Sequence, residues 1–222
     1  MNRKIFYLSL LLLAAVVVLA GLLTSPAAAG GETMPASKDA TVTKIKVSGR
    51  GASVFLEGDV FGGQVTVAQD VTAGTVALDF SYAIPHPTDP DLAIVFQGAD
   101  FIPNEAFTIS SNSAHLALTT APDFFLNRCI VSLITGEFTC EPGDPMTFDL
   151  TWVSDGIGSI EEKTKRKETL GPVTTKFDGE FNSLTATVSG TWGDGLTSED
   201  MTGFLLDTQS RTFIREITAP TP

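Results

Sequence analysis

Apolar and polar residues alternate along most of this chain in short runs that glycine, proline, asparagine and aspartate separate. In residues 76–82 and 148–152 every second residue is apolar, as in strands with one face on a core and the other in water. After residue 30 no segment keeps the 3.6-residue apolar period of a helix over several turns. The pattern predicts strands at residues 41–47, 52–57, 64–68, 75–83, 92–97, 106–110, 115–119, 125–133, 137–140, 147–153, 174–181, 184–191, 203–207 and 212–217.

The number and spacing of these strands favour an all-β fold, an antiparallel β-sandwich of jelly-roll or immunoglobulin-like type with essentially no helix. A single domain over residues 40–217 is long enough to bury about 70% of the surface that its unfolded chain exposes. Alternate prolines over residues 85–91 remove ladder donors, so this segment is predicted to be a surface loop between two strands.

The first 29 residues have the parts of a secretory signal peptide. Cations at positions 3 and 4 precede an uncharged apolar run over residues 5–23, and Pro26 and three alanines follow it. We expect cleavage before Gly30, then a flexible lead over residues 30–39, and a disordered tail over residues 218–222. The predicted location is the cell exterior or the periplasm. The apolar run approaches the ~20 residues that span a bilayer, so an N-terminal membrane anchor stays an alternative.

The charge of the chain limits its partners. Its formal net charge is −12, and the two cations in the predicted signal peptide are lost on cleavage, so the exported chain is more acidic still. An acidic surface repels phosphate backbones, which argues against nucleic acid as a partner. It suits a protein in solution outside the cell, with no membrane contact once the signal is cleaved.

The two cysteines, Cys129 and Cys140, are expected to form a disulfide, because an even cysteine count in an exported chain indicates pairing. β-branched residues between them flank a turn that ends in glycine. If the cysteines face each other across a hairpin, Ser132 lies opposite Glu137 and residues 133–136 form the loop. The predicted role of the bond is structural.

Two acidic loops are the candidates for a metal site. His86, Asp89 and Asp91 lie close together in the proline-rich loop, and Asp194 lies in a glycine-rich turn. Alternating carboxylates can hold Ca²⁺, although neither loop has EF-hand spacing. A Ca²⁺-dependent extracellular hydrolase that uses these carboxylates is therefore the alternative function. No catalytic or cofactor motif accompanies them, and only His86 and His115 could act as a base.

Residues 161–168 concentrate four cations, Lys163, Lys165, Arg166 and Lys167, on an otherwise acidic chain. Such a cluster can bind an anionic glycan or a partner at the cell surface. The same charges also suit a solvated edge strand or loop, where they prevent edge-to-edge aggregation. Because no enzyme motif is present, we expect a non-enzymatic binding or structural module of the cell exterior, with a surface glycan or an envelope protein as its partner.

Residues 148–192 resemble a group of exported bacterial β-rich proteins to which no function is assigned. The likeness is carried by Leu150-Thr151-Trp152 with the glycines after it, by the basic stretch that ends at Gly171-Pro172, and by residues 185–190. This chain departs from the group where Ser154-Asp155 interrupts the glycines, where the usual Pro-Gly is inverted, and where Ser183-Leu184 replaces an arginine. The resemblance implies secretion and β structure, and it implies no activity.

Overall fold

Antiparallel strands make up nearly all of the structure, a computed structural model that describes residues 32–35, 40–56, 62–156, 159–170, 172–193 and 195–217. A 3-10 turn, Asn104–Ala106, is the one helical element in these ranges. The all-β prediction is therefore confirmed. The strands are β1 (Glu32–Pro35), β2 (Ala40–Leu56), β3 (Gly62–Asp70), β4 (Thr75–Pro85), β5 (Leu92–Ile102), β6 (Phe107–Ile109), β7 (Ser113–Thr119), β8 (Leu126–Ser132), β9 (Phe138–Pro142), β10 (Thr147–Val153), β11 (Ile160–Leu170), β12 (Val173–Gly193) and β13 (Leu196–Ile217).

All thirteen of these strands belong to one sheet. Eleven of them follow one another in the order β6-β7-β10-β12-β13-β2-β3-β4-β5-β8-β9, and β1 and β11 pair beside this path. Strand β1 pairs with the first part of β2, while β3 pairs with the last part of the same strand. Strands β11 and β10 divide β12 between them in the same way. The long strands β2, β12 and β13 therefore run through two regions, one that encloses a core and one that extends beyond it.

The core lies where the sheet folds over, so that β4 faces β10. Phe80 of β4 packs against Phe148 of β10 with the ring centroids 4.9 Å apart. The Trp152 indole N–H donates a 2.8 Å hydrogen bond to the backbone carbonyl of Ser53, which joins β10 to β2 across the core. This packing is sandwich-like, as the sequence pattern predicts. We call the sheet face that lines the core the inner face.

Two glycines allow strands and layers to approach closely in the core. The register of β12 against β13 shifts between Val188 and Gly190, which marks a β-bulge. Gly190 has φ 140°, and a Cβ there would lie 2.0 Å from the carbonyl oxygen of Asp149. A Cβ on Gly203 would lie 2.4 Å from a methyl of Val188 and 2.6 Å from the Ser53 carbonyl oxygen. Only a residue without a side chain fits at either position.

Three long strands replace pairs of shorter predicted ones. The sequence pattern predicts breaks at residues 48–51, 182–183 and 208–211, and these breaks are wrong. Turn-forming residues stay in a strand when each keeps a partner in the ladder, as Gly49 does opposite Thr208. The basic segment, for which the sequence left an edge strand or a loop open, forms strand β11.

The predicted disulfide hairpin is present. Cys129 of β8 and Cys140 of β9 are paired in register and bonded through their sulfurs. The Ser132 N–H donates a 2.8 Å hydrogen bond to the Glu137 carbonyl, so residues 133–136 form the expected loop. Its last residue, Gly136, has φ 76°. The bond fastens the edge strand β9 to the sheet.

The predicted signal peptide over residues 1–29 and the predicted tail over residues 218–222 lie outside the described residues. Of the predicted lead over residues 30–39, Glu32–Pro35 forms β1 and pairs with β2. In the part of the chain that the structure describes, no helix is long and apolar enough to cross a membrane.

Candidate functional site

Beyond the core the long strands continue as a sheet with no buried residue, which we call the ribbon. It comprises residues 42–50 of β2, 160–170 of β11, 173–182 of β12 and 206–215 of β13. These strands lie side by side in the order β11, β12, β13, β2. Successive side chains of a strand point to opposite faces, and paired residues share a face. The register therefore assigns every ribbon residue to one of two faces.

One face of the ribbon continues the inner face of the core and replaces apolar side chains with cations. Along β13, buried Leu205 is followed on the same face by Arg211, and along β2 buried Ala52 is preceded by Lys46. The three rows farthest from the core hold half of the fourteen lysines and arginines of the chain. Asp178 is the one acid in these rows of the four ribbon strands, and Glu32 of β1 lies opposite Lys44 in register. We call this cluster the basic face. It consists of Lys44, Lys46, Lys165, Lys167, Lys176, Arg211 and Arg215.

Near the core, the rows of this same face hold pairs of opposite charge. Arg50 lies opposite Asp207, with its Nε 4.0 Å from the carboxylate. Lys163 lies opposite Glu180 at 3.9 Å and also pairs with Glu161 on its own strand. The hydrogen bond to Glu161 and the negative charges of Glu161 and Glu180 raise the pKa of Lys163. The cations in these rows are therefore compensated by acids of the ribbon.

Farther from the core, the cross-strand pairs change to like charges. Lys46 of β2 lies directly opposite Arg211 of β13. Lys167 of β11 lies directly opposite Lys176 of β12. Like charges directly opposite each other destabilise a sheet, whereas the opposite pairs nearer the core stabilise it. The outer rows therefore hold a concentration of positive charge that Asp178, which lies between Lys165 and Arg211 in register, compensates only in part.

The strand divides the predicted basic cluster between two faces. Lys165 and Lys167 lie on the basic face. Lys163 lies on the same face but nearer the core, in its ion pairs with acids. Arg166 points to the opposite face, in register with Phe177. Two of the four predicted residues, Lys165 and Lys167, thus belong to the basic face together with cations from other strands.

Sequence reasoning missed the other five members of the basic face because they are far apart in the chain. Lys44 and Lys46 give a signal, since they alternate within the predicted strand over residues 41–47. Arg215 lies in the predicted strand over residues 212–217, but Arg211 falls in a predicted break. Lys176 gives no such signal by itself. Only the register of β2, β13, β12 and β11 shows that these residues share a face.

The proline-rich loop does not gather its predicted metal ligands. The Asp89 carboxylate accepts the backbone N–H of Asp91 at 2.9 Å, and the Thr88 hydroxyl lies 3.4 Å from Nδ1 of His86. These are contacts within a turn. Among the described residues, no group of three or more His, Cys, Asp or Glu side chains could hold a metal ion, and Asp194 lies outside them. The Ca²⁺ site and the hydrolase alternative stay predictions.

His115, one of the two histidines, lies on the outer face of β7. Its Nε2 is 3.0 Å from Oδ1 of Asp149 on β10, and both side chains are exposed to solvent. In register, Thr151 of β10 and Thr108 of β6 flank it. An exposed pair of this kind contributes little to stability, and its surroundings are those of an ordinary polar sheet surface.

Fold and surface together define an all-β protein that carries its positive charge on one face of a sheet extension. No family model matches the chain, and no curated protein or solved structure matches it. The function is therefore inferred from the surface itself.

Proposed function

We propose that this protein is a secreted, non-enzymatic binding module that holds an anionic polysaccharide of the cell exterior on its basic face. The observation that carries the proposal is two like-charge pairs in cross-strand register, Lys46 with Arg211 and Lys167 with Lys176, on a chain of net charge −12. Like charges directly opposite each other cost stability in the free protein. An anion between the two cations removes their repulsion and gains charge-assisted hydrogen bonds.

Protection against aggregation accounts for only part of the charge pattern. Strand β11 has a free edge, and charged side chains there prevent edge-to-edge association. Lys176 and Arg211, however, lie on β12 and β13, which have partners on both sides. Acidic side chains would keep these inner strands soluble at least as well and would match the rest of the chain. Cations in the middle of the ribbon therefore indicate a ligand.

The shape of the basic face suits an extended chain better than a small anion. Four strands and three rows cover about 14 Å by 14 Å, at ~4.8 Å between strands and ~6.8 Å between alternate residues. Small ligands are held in concave sites with convergent donors, whereas long lysine and arginine side chains on a flat sheet reach several groups of a polymer.

Phe213 favours a sugar polymer among the polyanions. It lies in the middle row of the basic face, between Lys176 and Lys44 in register. Lys44 Nζ is 5.6 Å from the centroid of its ring. The ring gives an apolar surface among the cations, against which a sugar ring can pack while its carboxylate or sulfate contacts a lysine. The predicted signal peptide would deliver the protein to where such polymers lie.

Two variants with the same net charge test the proposal. The first replaces Lys46, Lys167, Lys176 and Arg211 with glutamine. The second makes the same replacement at four cations that are not members of the basic face, namely Arg50, Arg128, Lys163 and Arg166. Binding of the mature chain to polygalacturonate, heparin and neutral dextran is measured by titration calorimetry at 50 and 200 mM salt. We expect the native chain to bind both polyanions and not dextran. The first variant should bind at least about 100-fold more weakly, and the second within about threefold of the native chain.

Three results would overturn the proposal. Equal losses in the two variants would mean that net charge, and not the basic face, controls binding. Absence of binding to either polyanion would remove the ligand class. Binding of a short DNA duplex as tight as that of the polysaccharides at 200 mM salt would mean that the face accepts any polyanion.

A further inference from the structure

The opposite face of the ribbon differs from the basic face in carrying no charge on its three inner strands. Over residues 42–49 of β2, 173–182 of β12 and 206–215 of β13, the side chains on this face are apolar, hydroxyl-bearing or glycine. We call it the apolar face, and its large members are Ile45, Val47, Phe177, Phe181, Leu206 and Ile214. Charged residues return at the margins of this face, on β11, at Asp70 of β3, which is in register with Gly49, and at position 216 of β13, which is in register with Val173. An apolar centre with a polar margin is the usual plan of a protein interface.

A groove crosses the part of the apolar face nearest the core and continues onto β3. Its volume is about 270 Å³, and Val47, Phe177, Phe181 and Leu206 line it. Residues 66–70 of β3 and Glu162 of β11 also line it. Glycine forms part of its floor, and at Gly179 an added Cβ would lie 2.8 Å from the Phe177 ring. The face is therefore uneven, with aromatic side chains beside a depression. Two such faces can interlock, the rings of one filling the groove of the other.

We propose that a second copy of this chain covers the apolar face, so that two ribbons pack face to face with their basic faces outward. An antiparallel sheet is stable in water when one face is buried, and in the ribbon neither face is. Twisted sheets of two chains can pack at about −30°, about 10 Å apart, as in a β-sandwich. The proposal stands apart from the binding function, because it concerns the other face.

The size of the apolar face fits a stable dimer. Strand β11 has 11 residues. At ~3.4 Å per residue and ~4.8 Å per strand, the apolar face together with its charged margin on β11 presents up to roughly 700 Å². A stable interface buries about 800 Å² on each partner, so the face with its margin approaches that size.

Charge disfavours two competing arrangements of two copies. Lys163, Lys165 and Lys167 occupy alternate positions of the edge strand β11. Edge-to-edge antiparallel pairing of two such strands around Lys165 would place like charges opposite each other. Contact through the basic faces would oppose their cations directly. The apolar face is the surface of the ribbon on which two copies can meet without this repulsion.

Sedimentation equilibrium of the mature chain over 1–200 µM tests the proposal, with one substitution on each face. Phe177→Glu places a charge in the centre of the apolar face, and Lys176→Glu is its matched control on the basic face. We expect a dimer for the native chain and for the control. The dimer dissociation constant should rise at least about 100-fold for Phe177→Glu, because association would bury an unpaired carboxylate.

A crosslink keeps the test decisive if Phe177→Glu does not fold. The two cysteines of the chain are bonded to each other, so one added cysteine reports on contact between copies. Thr212→Cys, on the apolar face, should form a disulfide-linked dimer on oxidation, and Arg211→Cys, on the basic face, should not. A native chain that stays monomeric at 200 µM would overturn the proposal, even if it bound lipid vesicles through this face. So would equal crosslinking of both variants. Polysaccharide binding by a monomeric chain would leave the proposed function intact.

Discussion

Strands β2, β12 and β13 are each half core and half ribbon, and the two halves obey different rules. In the core half, the inner face carries Ala52, Val54 and Leu205, all buried. In the ribbon half, the same face of the same strands carries Lys46 and Arg211. The backbone ladder is continuous through both halves, so the ladder does not need a core beneath every residue. The comparison separates what these side chains do for the fold from what we propose they do for a ligand.

The ribbon is itself divided by its charge pairs. Next to the core, Arg50 pairs with Asp207, an arrangement that contributes a few tenths of a kcal/mol to a sheet. Two rows farther out, Lys46 faces Arg211. A surface selected only for stability and solubility would continue the first pattern to the end. The change of pattern along one pair of strands is what points to binding.

The largest contrast between the halves is expected from a matched pair of truncations on β13. Leu205→Ala removes a buried side chain in the core half, and Phe213→Ala removes a half-buried one from the same face in the ribbon half. We expect Leu205→Ala to lower the free energy of unfolding by about 2–5 kcal/mol, because it leaves a cavity. Phe213→Ala should cost less than about 1 kcal/mol. Urea unfolding measures both, and equal losses would mean that the ribbon is also a packed region.

Loss of the disulfide should come next in size. Replacing Cys129 and Cys140 by alanine releases a closed loop with a sequence separation of 11 residues. We expect a loss of about 2–3 kcal/mol in the free energy of unfolding, mainly through a freer unfolded chain. Because the hairpin lies at the far edge of the sheet from the ribbon, polysaccharide affinity should not change. A parallel loss of affinity in a folded variant would show that the two regions are coupled.

Matched glycine-to-alanine substitutions, which add a methyl group where the truncations remove side-chain atoms, should show the same contrast between core and ribbon. At Gly203, in the core, a Cβ would meet the Ser53 carbonyl oxygen and Trp152. At Gly179, in the ribbon, it would meet only the ring of Phe177, which can move. We expect Gly203→Ala to cost about 1–3 kcal/mol and Gly179→Ala to cost less. Thermal melting followed by circular dichroism distinguishes them, and a larger effect at Gly179 would contradict the account.

A smaller effect is expected when one like-charge pair is converted to an opposite pair. Lys167→Glu places a carboxylate opposite Lys176 on the basic face. The free energy of unfolding should rise by about 0.2–1 kcal/mol, since repulsion becomes attraction. Affinity for polygalacturonate should fall in the same variant. Higher stability with lower affinity is the signature of a residue kept for binding, and a variant that loses both would refute that role for Lys167.

The smallest expected effect concerns the half-buried carboxyl of Asp79 on β4. Burial raises its pKa above the ordinary value of 3.8, because the carboxylate loses water. Folding then favours the protonated acid, so Asp79 lowers stability above its folded pKa and has no such cost below pH 3.8. Asp79→Asn should therefore raise Tm at neutral pH, and the gain should shrink as the pH falls toward 3.8. A gain that does not depend on pH would have another cause.

The sequence predicts the local structure well and the surface poorly. The alternation of apolar and polar residues predicts most strands. Counting antiparallel pairs inward from Cys129 and Cys140 correctly predicts that Ser132 lies opposite Glu137. The sequence pattern predicts a strand break at residues such as Gly49, because nothing local shows that a distant strand, here at Thr208, completes the ladder. The sequence does not predict the basic face for the same reason. Lys46 and Arg211 are neighbours only through register, which depends on the packing of the whole sheet.

The net charge of the chain misled in an instructive way. The net charge of −12 argues against nucleic acid as a partner, and the sequence alone indicates positive charge only in the local cluster at residues 163–167. The fold concentrates the cations, since half of the fourteen lie in the outer rows of one ribbon face, where Asp178 is the one acid on the four ribbon strands. Electrostatic attraction depends on the local field within about a Debye length, ~8 Å at physiological salt. The register of the strands decides that field.

Lysine footprinting of the native chain tests the central claim most directly. The mature protein is reductively methylated with and without saturating polygalacturonate, and the modification of each lysine is measured by mass spectrometry. We predict protection of Lys44, Lys46, Lys165, Lys167 and Lys176, with Lys163, which is already paired with acids, changed much less. Protection spread evenly over all lysines, or confined to residues outside the basic face, would contradict the account.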